Sequence, residues 1–194
     1  MYSHWFERPV LAGRHVRLEP LTVAHAAGLF EACADPAMWT WLSEGRPGDA
    51  AGMRTLLEKA LAQADRVPWV QLDATTGEPA GITSYYELSP EHRSLHIGYT
   101  WLGPRWHRTG VNTEAKLMLL ERAFDQLGAV RVGWHTHSRN TRSQRAIERL
   151  GAQREGVLRS HRICPDGSVR DTVLYSMIRQ EWPAARKALW ARLR

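Results

Sequence analysis

The sequence predicts a mixed α/β fold, a mostly antiparallel central sheet with helices on both faces, in the order β-α-α-β-β-β-α-β-α-β-β-α. Three observations predict it. Short runs at residues 69–73, 80–88 and 94–102 follow one another across tight turns, which makes an antiparallel meander. Residues 113–127 then carry a helical stripe and residues 130–136 an extended run, a crossover that returns a strand to the same sheet. No repeat or linker-like stretch interrupts the chain, so residues 1–194 are expected to form one domain.

Taken in order, residues 15–21 put Val16 and Leu18 on one face and read as the first strand. Thr22 is placed to cap a helix that runs to about Ala34 and stops at Asp35-Pro36. A loop with Trp39, Trp41, Gly45, Pro47 and Gly48 leads to Asp49, which caps a second helix carrying Met53, Leu56, Leu57 and Leu61. The meander turns at Thr76-Gly77-Glu78-Pro79 and at Pro90-Glu91-His92-Arg93. In the helix that follows, Leu117, Leu120, Phe124 and Leu127 form the apolar stripe and Gly128 is a fitting C-cap. Residues 140–150 read as a helix capped by Asn140 and stopped by Gly151. Strands at 153–163 and 171–178 meet at Pro165-Asp166-Gly167, and a last helix holds Pro183 in its first turn with Leu189 and Leu193 beyond it.

Composition narrows the function classes. With 43% hydrophobic and 24% charged residues, the chain is globular rather than disordered or fibrous. Its first residues lack the charged-then-apolar pattern of a signal peptide and no apolar run approaches ~18 residues, so a cytoplasmic protein without membrane association is expected. Cys33 and Cys164 have no metal-type spacing and read as free thiols. A net charge of +6 fits nucleic acid, an acidic protein surface, a polyphosphate cofactor or simply a solvated surface. Arginines crowd the second half, at Arg131, Arg139, Arg142, Arg145, Arg149, Arg154, Arg159 and Arg162. The absence of a stacking platform or helix-turn-helix pattern speaks against a nucleic-acid module.

The segment with the most chemistry lies between the third meander strand and the long helix. A strand ends at Gly103-Pro104, residues 106–113 form a short loop around Gly110, and a helix begins. Unpaired N–H groups and the dipole at a helix N-terminus favour an anion, the glycine admits close approach, and Arg105 and Arg108 add positive charge. The same letters also fit a strand–helix junction with no ligand.

Further motifs stand around that loop in a fixed order. They are Ile97-Gly98-Tyr99-Thr100-Trp101-Leu102-Gly103-Pro104, Thr113-Glu114-Ala115, Ala123-Phe124 before Leu127-Gly128, Asn140-x-x-Ser143 and Leu150-Gly151-Ala152. Beyond them come Glu155-Gly156, Asp166-Gly167, Arg170-Asp171 and Leu174-Tyr175-Ser176. In these motifs residues 96–151 resemble the acetyl-CoA-binding half of the GNAT superfamily of N-acetyltransferases, most of all its Rim-type branch of ribosomal-protein N-acetyltransferases. The resemblance spans residues 11–182 and is weakest across the first two helices. The superfamily's phosphate loop has the form Arg/Gln-x-x-Gly-x-Gly/Ala; His107 and Asn112 depart from it and Gly110 keeps it. A backbone cradle tolerates His107, and Asn112 fits if its side chain turns away and caps the helix.

The resemblance implies acetyl-CoA as cosubstrate and no metal. It implies cofactor contacts from Tyr99, Thr100, Trp101 and Leu102 on the strand, and from His107, Arg108, Thr109, Gly110, Val111, Asn112 and Thr113 in the loop. Asn140 is expected to touch the cofactor and cap its helix. Arg142 and Arg145 would meet the nucleotide phosphates, a solvated face being the simpler alternative for both. A primary amine, such as a peptide N-terminus or a small amine, would attack the thioester directly. His96 is placed as general base, with Glu87 and then a water chain as alternatives, and a sheet histidine as its plain structural role. By strand alternation His96, Gly98 and Thr100 share one face, opposite Ile97, Tyr99 and Trp101. Where many relatives have a Tyr acid this chain has Ile147, and Ser143, one turn earlier on the same face, is the thiolate partner that the Rim-like branch implies. Trp39, Trp41 and Tyr86 would sit near the acceptor or serve as packing. A homodimer is compatible with the resemblance. The alternatives to it are a CoA-binding regulatory domain without turnover, which the off-pattern His107, Asn112 and Ile147 would fit, and a basic nucleic-acid- or ribosome-binding module using the Arg-rich second half.

Overall fold

The computed structural model describes residues 2–42, 44–164 and 166–193. Pro165, expected in the last hairpin turn, lies outside the described residues. The elements are β1 (Leu11–Ala12), β2 (Val16–Pro20), α1 (Ala26–Ala32), α2 (Ala50–Ala62), β3 (Arg66–Asp73), β4 (Pro79–Ser89) and β5 (Ser94–Leu102). After them come α3 (Gly110–Glu121), β6 (Arg131–His137), α4 (Thr141–Glu148), β7 (Gln153–Ile163), β8 (Val169–Ile178) and α5 (Trp182–Ala191).

The predicted order therefore holds, with one strand added at the start. β1 is two residues long and pairs back onto β2, too short for a period-two signal. The first helix is also shorter than expected: a 3-10 turn at Val23–His25 precedes α1, which ends at Ala32. Asp49 caps α2 as read, its carboxylate accepting from the Gly52 N–H at 2.7 Å. Gly128 takes the left-handed conformation (φ 73°) expected of a helix terminator, after a π-turn at Arg122–Gln126 that lengthens the end of α3.

Eight strands form one sheet in the order β1-β2-β3-β4-β5-β6-β8-β7. Every pairing is antiparallel except β5 with β6. α1 and α2 cover one face through Leu29, Met53 and Leu57, which meet Ile82 and Trp101. On the other face α3, the π-turn that follows it and α5 pack Leu117, Leu120, Phe124 and Leu189 against Tyr85, Ile97, Val132 and Tyr175. No helix among the described residues is long and apolar enough to cross a membrane. Cys33 and Cys164 are both free thiols.

Two features of this frame create the site. The β5–β6 pairing lasts only from Ser94, Leu95 and His96 opposite Arg131, Val132 and Gly133. Beyond His96 the strands part, leaving Ile97–Leu102 and Trp134–His137 as facing edges without a shared ladder. Second, the β4–β5 register slips between Ile82 and Ser84, where Tyr99 is left-handed (φ 50°). This bulge puts one extra residue on β5 and breaks the alternation read from sequence. Gly98 and Tyr99 both meet the Tyr86 ring, whereas Thr100 turns to Lys116 on α3 and Trp101 to Trp39. Thr100 is thus on the face opposite His96, not beside it, because a bulge resets the period of two.

Candidate active site

The parting of β5 and β6 opens a cleft of about 900 Å³, within the range for small-molecule sites. Its wall brings together most of the expected residues. Tyr99, Thr100, Trp101, Leu102, His107, Arg108, Thr109, Asn112 and Thr113 line it from β5 and the α3 entrance. Asn140, Arg142, Ser143 and Arg145 line it from α4, and Trp39, Trp41 and Tyr86 from the opposite face of the sheet. The cleft therefore passes through the sheet, with α3 and α4 at one mouth and α1 and α2 at the other.

The loop before α3 is braced by its own side chains. Thr109, not Asn112, caps α3: its Oγ1 accepts from the Val111 N–H at 3.3 Å and donates to the Trp106 carbonyl at 2.8 Å. Asn112 instead stands in the first turn and lines the cleft. His107 folds back so that Nε2 lies 2.9 Å from the Leu102 carbonyl, tying the loop to the end of β5. Trp106 is buried and donates Nε1–H to Asp73 Oδ2 at 2.7 Å, which pulls the Asp73 carboxyl below its usual range. Arg108 is left-handed (φ 61°) and lines the cleft, whereas Arg105 leaves it to pair with Glu78 at 2.7 Å. By helix geometry the first-turn N–H groups of Gly110 and Asn112 lack intrahelical acceptors.

Gly110 and Val111 are off the cleft wall. The Val111 side chain is buried in the core under α3. A Cβ on Gly110 would stand 2.6 Å from the His15 ring, so this glycine makes room for the β1–β2 turn. Gly110→Ala is accordingly expected to cost about 1–3 kcal/mol in thermal or denaturant unfolding. Adding His15→Ala to the same chain should recover most of that loss. An unrescued loss would mean that the added methyl is opposed by something other than the His15 ring.

On α4, Asn140 Oδ1 accepts from the Ser143 N–H at 3.0 Å, leaving its amide N–H₂ to face the cleft. Ser143 and Ile147 line the same side, as their spacing requires. Trp134 from β6 also lines the cleft, and its indole N–H is buried without a partner among the described residues. Such a donor is costly to leave unpaired and points to a ligand acceptor in the cleft.

The expected bases are placed differently. Neither His96 nor Glu87 lines the cleft. His96 stacks behind Tyr86 and His135, ring centres 5.2 and 4.6 Å away, with Glu87 Oε2 3.3 Å from its Nδ1 but outside hydrogen-bond geometry. Burial, helped by the Arg131 charge, pushes the His96 imidazole down to about 4. One donor atom each from Glu87, His96 and His135 lies within 4.8 Å of the other two, close enough to hold a cation.

Lys116 was missed in the sequence, although it stands four residues before Leu120 on the stripe that turns inward. It is 5% exposed, and its Nζ donates to Thr83 Oγ1 at 2.8 Å and Thr100 Oγ1 at 2.7 Å. Burial without a carboxylate partner pulls its amine down to about 7.

Comparison with known proteins agrees with this arrangement. Residues 15–153 match the acetyltransferase (GNAT) domain family, and the chain belongs to that family. It is 31% identical over 106 residues to YdaF of Bacillus subtilis, named a candidate ribosomal N-acetyltransferase, covering 55% of this chain and 57% of YdaF. A GCN5-related N-acetyltransferase from Brucella melitensis superposes with a TM-score of 0.93 at 35% identity, covering 97% of this chain and 86% of that one. RimJ of Mycobacterium smegmatis, solved in complex with CoA-disulfide, shares the fold at a TM-score of 0.78 and 22% identity, covering 97% and 95% of the two chains. The chain is a GNAT N-acetyltransferase with relatives in the Rim-type branch.

Proposed function

We propose that this enzyme takes its acetyl group from acetyl-CoA and delivers it to a primary amine, a protein N-terminus being the acceptor class, by direct attack within a ternary complex. The single observation that carries the reading is the parted β5–β6 edge. The β6-facing edge of β5 beyond His96 has no strand partner among the described residues, so its backbone groups can pair with an extended, amide-bearing arm as a further strand would. The unpaired Trp134 N–H and the free amide of Asn140 suit the same arm. At the α3–α4 mouth, Arg108, Arg142 and Arg145 and the first turn of α3 suit phosphates. Acetyl-CoA, when bound, supplies an activated acyl group.

This chain's residues then have three tasks. A backbone N–H of the open β5 edge holds the charge that develops on the thioester oxygen. Ser143, within the cleft and at the α4 N-terminus, returns a proton to the departing sulfur. The incoming ammonium loses its proton to cleft water, because His96 and Glu87 stand outside the wall. An amine near the lysine reference of about 10.4 needs such an acceptor at neutral pH.

Calorimetric titration with acetyl-CoA should show saturable binding, and peptides with free N-termini should be acetylated. Ser143→Ala is expected to lower kcat by about 10- to 100-fold with acetyl-CoA affinity nearly unchanged. No binding at millimolar acetyl-CoA would sink the cofactor assignment. A large affinity loss in the variant would make Ser143 a binding residue instead.

A further inference from the structure

The acceptor mouth has a charge that acetyl transfer alone does not require. Three arginines line it: Arg66 from β3, and Arg162 and Arg170 from the β7–β8 hairpin. Arg66 is 7% exposed, lays its guanidinium 3.8 Å from the centre of the Tyr99 ring and donates from Nε to Ser84 Oγ at 2.9 Å. Tyr99 meets Tyr86 edge-on at 5.2 Å, and Arg162 and Arg170 both lie within electrostatic reach of Tyr86. These groups share the sheet face that carries α1 and α2, away from the α3–α4 mouth where phosphates fit.

Arg162 and Arg170 are paired directly across the hairpin, where like charges destabilise. A bulge arranges this: the register slips between Leu158 and Arg162, with Ser160 left-handed (φ 51°) and its N–H given to Asp171 Oδ1 at 2.7 Å. Among the described residues neither arginine has an ion-pair partner; Arg170 donates only from Nε to Thr172 Oγ1 at 3.1 Å. The nearby carboxylates are otherwise placed. Glu44 faces Arg66, Glu87 faces His96, Asp171 holds Ser160, and Asp166 holds Ser168. Of these four carboxylates only Glu44 lines the cleft, beside three arginines, so the charge lining this mouth is net positive and disfavours a bare ammonium.

We infer that the acceptor carries a carboxylate close to its amine, and that Arg162 and Arg170, with Arg66 behind them, select for it. This rests on reading the cleft as an acetyltransferase site. The anion neutralises the cross-strand pair while its amine is drawn toward the parted strands, so selectivity is electrostatic and shows mainly in KM. The carboxylate can belong to an acidic residue near a peptide N-terminus or to a free amino acid.

The test compares acceptors of equal length. Amidated peptides with Asp or Glu beside the N-terminal residue are set against their Asn and Gln counterparts, and free amino acids form a separate arm. The wild type should favour the acidic peptides by about tenfold or more in kcat/KM, a margin that shrinks from about 0.05 to about 0.5 M salt. Combining Arg162→Gln with Arg170→Gln should erase the margin through KM, with acetyl-CoA affinity kept. Preference for free amino acids over peptides would identify their own carboxylate as the anion. Equal use of acidic and amide peptides with no use of amino acids would overturn the inference, as would a margin that survives in the double variant. Calorimetric binding of the same peptides, with and without coenzyme A, reads the charge preference even if nothing turns over. Failure of acetyl-CoA to bind would count against the transferase reading and leave that peptide comparison standing.

Discussion

Glu114→Ala is expected to lower the unfolding free energy by about 3–5 kcal/mol, measured as a fall in denaturant midpoint. The carboxylate is 6% exposed and accepts three backbone hydrogen bonds from the β1–β2 turn: Arg14 N–H at 2.9 Å, His15 N–H at 2.6 Å and Val16 N–H at 2.9 Å. Val16 is fully buried, so its N–H is cut off from water when the side chain that accepts from it is shortened. The turn is also closed tightly on the carboxylate: a Cβ on Gly13 would lie 2.3 Å from Glu114 Cδ. Glu114→Gln keeps the size but presents an amide N–H to three donors, so it should recover less than half of the loss. The same clamp seats the His15 ring over Gly110, and weaker acetyl-CoA binding in both variants should follow. A loss under about 1 kcal/mol for the alanine variant would show that water replaces the carboxylate and that the turn is not held by it.

That clamp marks what a linear sequence can and cannot show. Thr113-Glu114-Ala115 was legible as a family motif, but its partner is a turn 98 to 100 residues earlier, and no periodicity joins the two. The strands and helices were legible because their apolar spacing is local. β5 was found to the residue, and Asn140 was read correctly as the α4 cap, since capping involves only the next few residues. The bulge at Tyr99 was not legible: an inserted residue leaves the letters unchanged and flips every side chain beyond it. For this reason Thr100 was assigned to the wrong face. Glycine carries a similar ambiguity. Gly110 reads as a place for phosphate to approach, and only the fold shows that the His15 ring also packs against it. The Arg-rich second half divides by neighbour, too. Arg131 grips Glu155 in a two-pronged pair, while Arg162 and Arg170, opposite each other across a hairpin, have no ion-pair partner among the described residues, a distinction that composition cannot draw.

Lys116→Met is expected to stabilise the protein at neutral pH, and the direction follows from the amine's protonation. An unfolded lysine titrates at its ordinary value of 10.5, whereas burial brings the folded amine down to about 7. Between those values the unfolded chain binds the extra proton, so stability rises with pH by up to about 1.4 kcal/mol per unit. Below about 7 both states are charged and the full penalty applies; above 10.5 both are neutral and it vanishes. The methionine variant lacks this dependence. Its advantage should be a few kcal/mol near pH 7 and shrink steadily toward pH 10, as read from denaturant midpoints at each pH. Loss of the ammonium leaves little unsatisfied, because Thr83 Oγ1 and Thr100 Oγ1 are already 2.8 Å apart and can bond each other. A variant less stable than wild type at every pH would mean that the two threonine contacts outweigh desolvation. If the gain appears and acetyl transfer falls at the same time, the buried amine is kept for the reaction rather than for the fold. Its position is consistent with that outcome: Lys116 lines the cleft beside Thr100, one residue past the bulge at Tyr99.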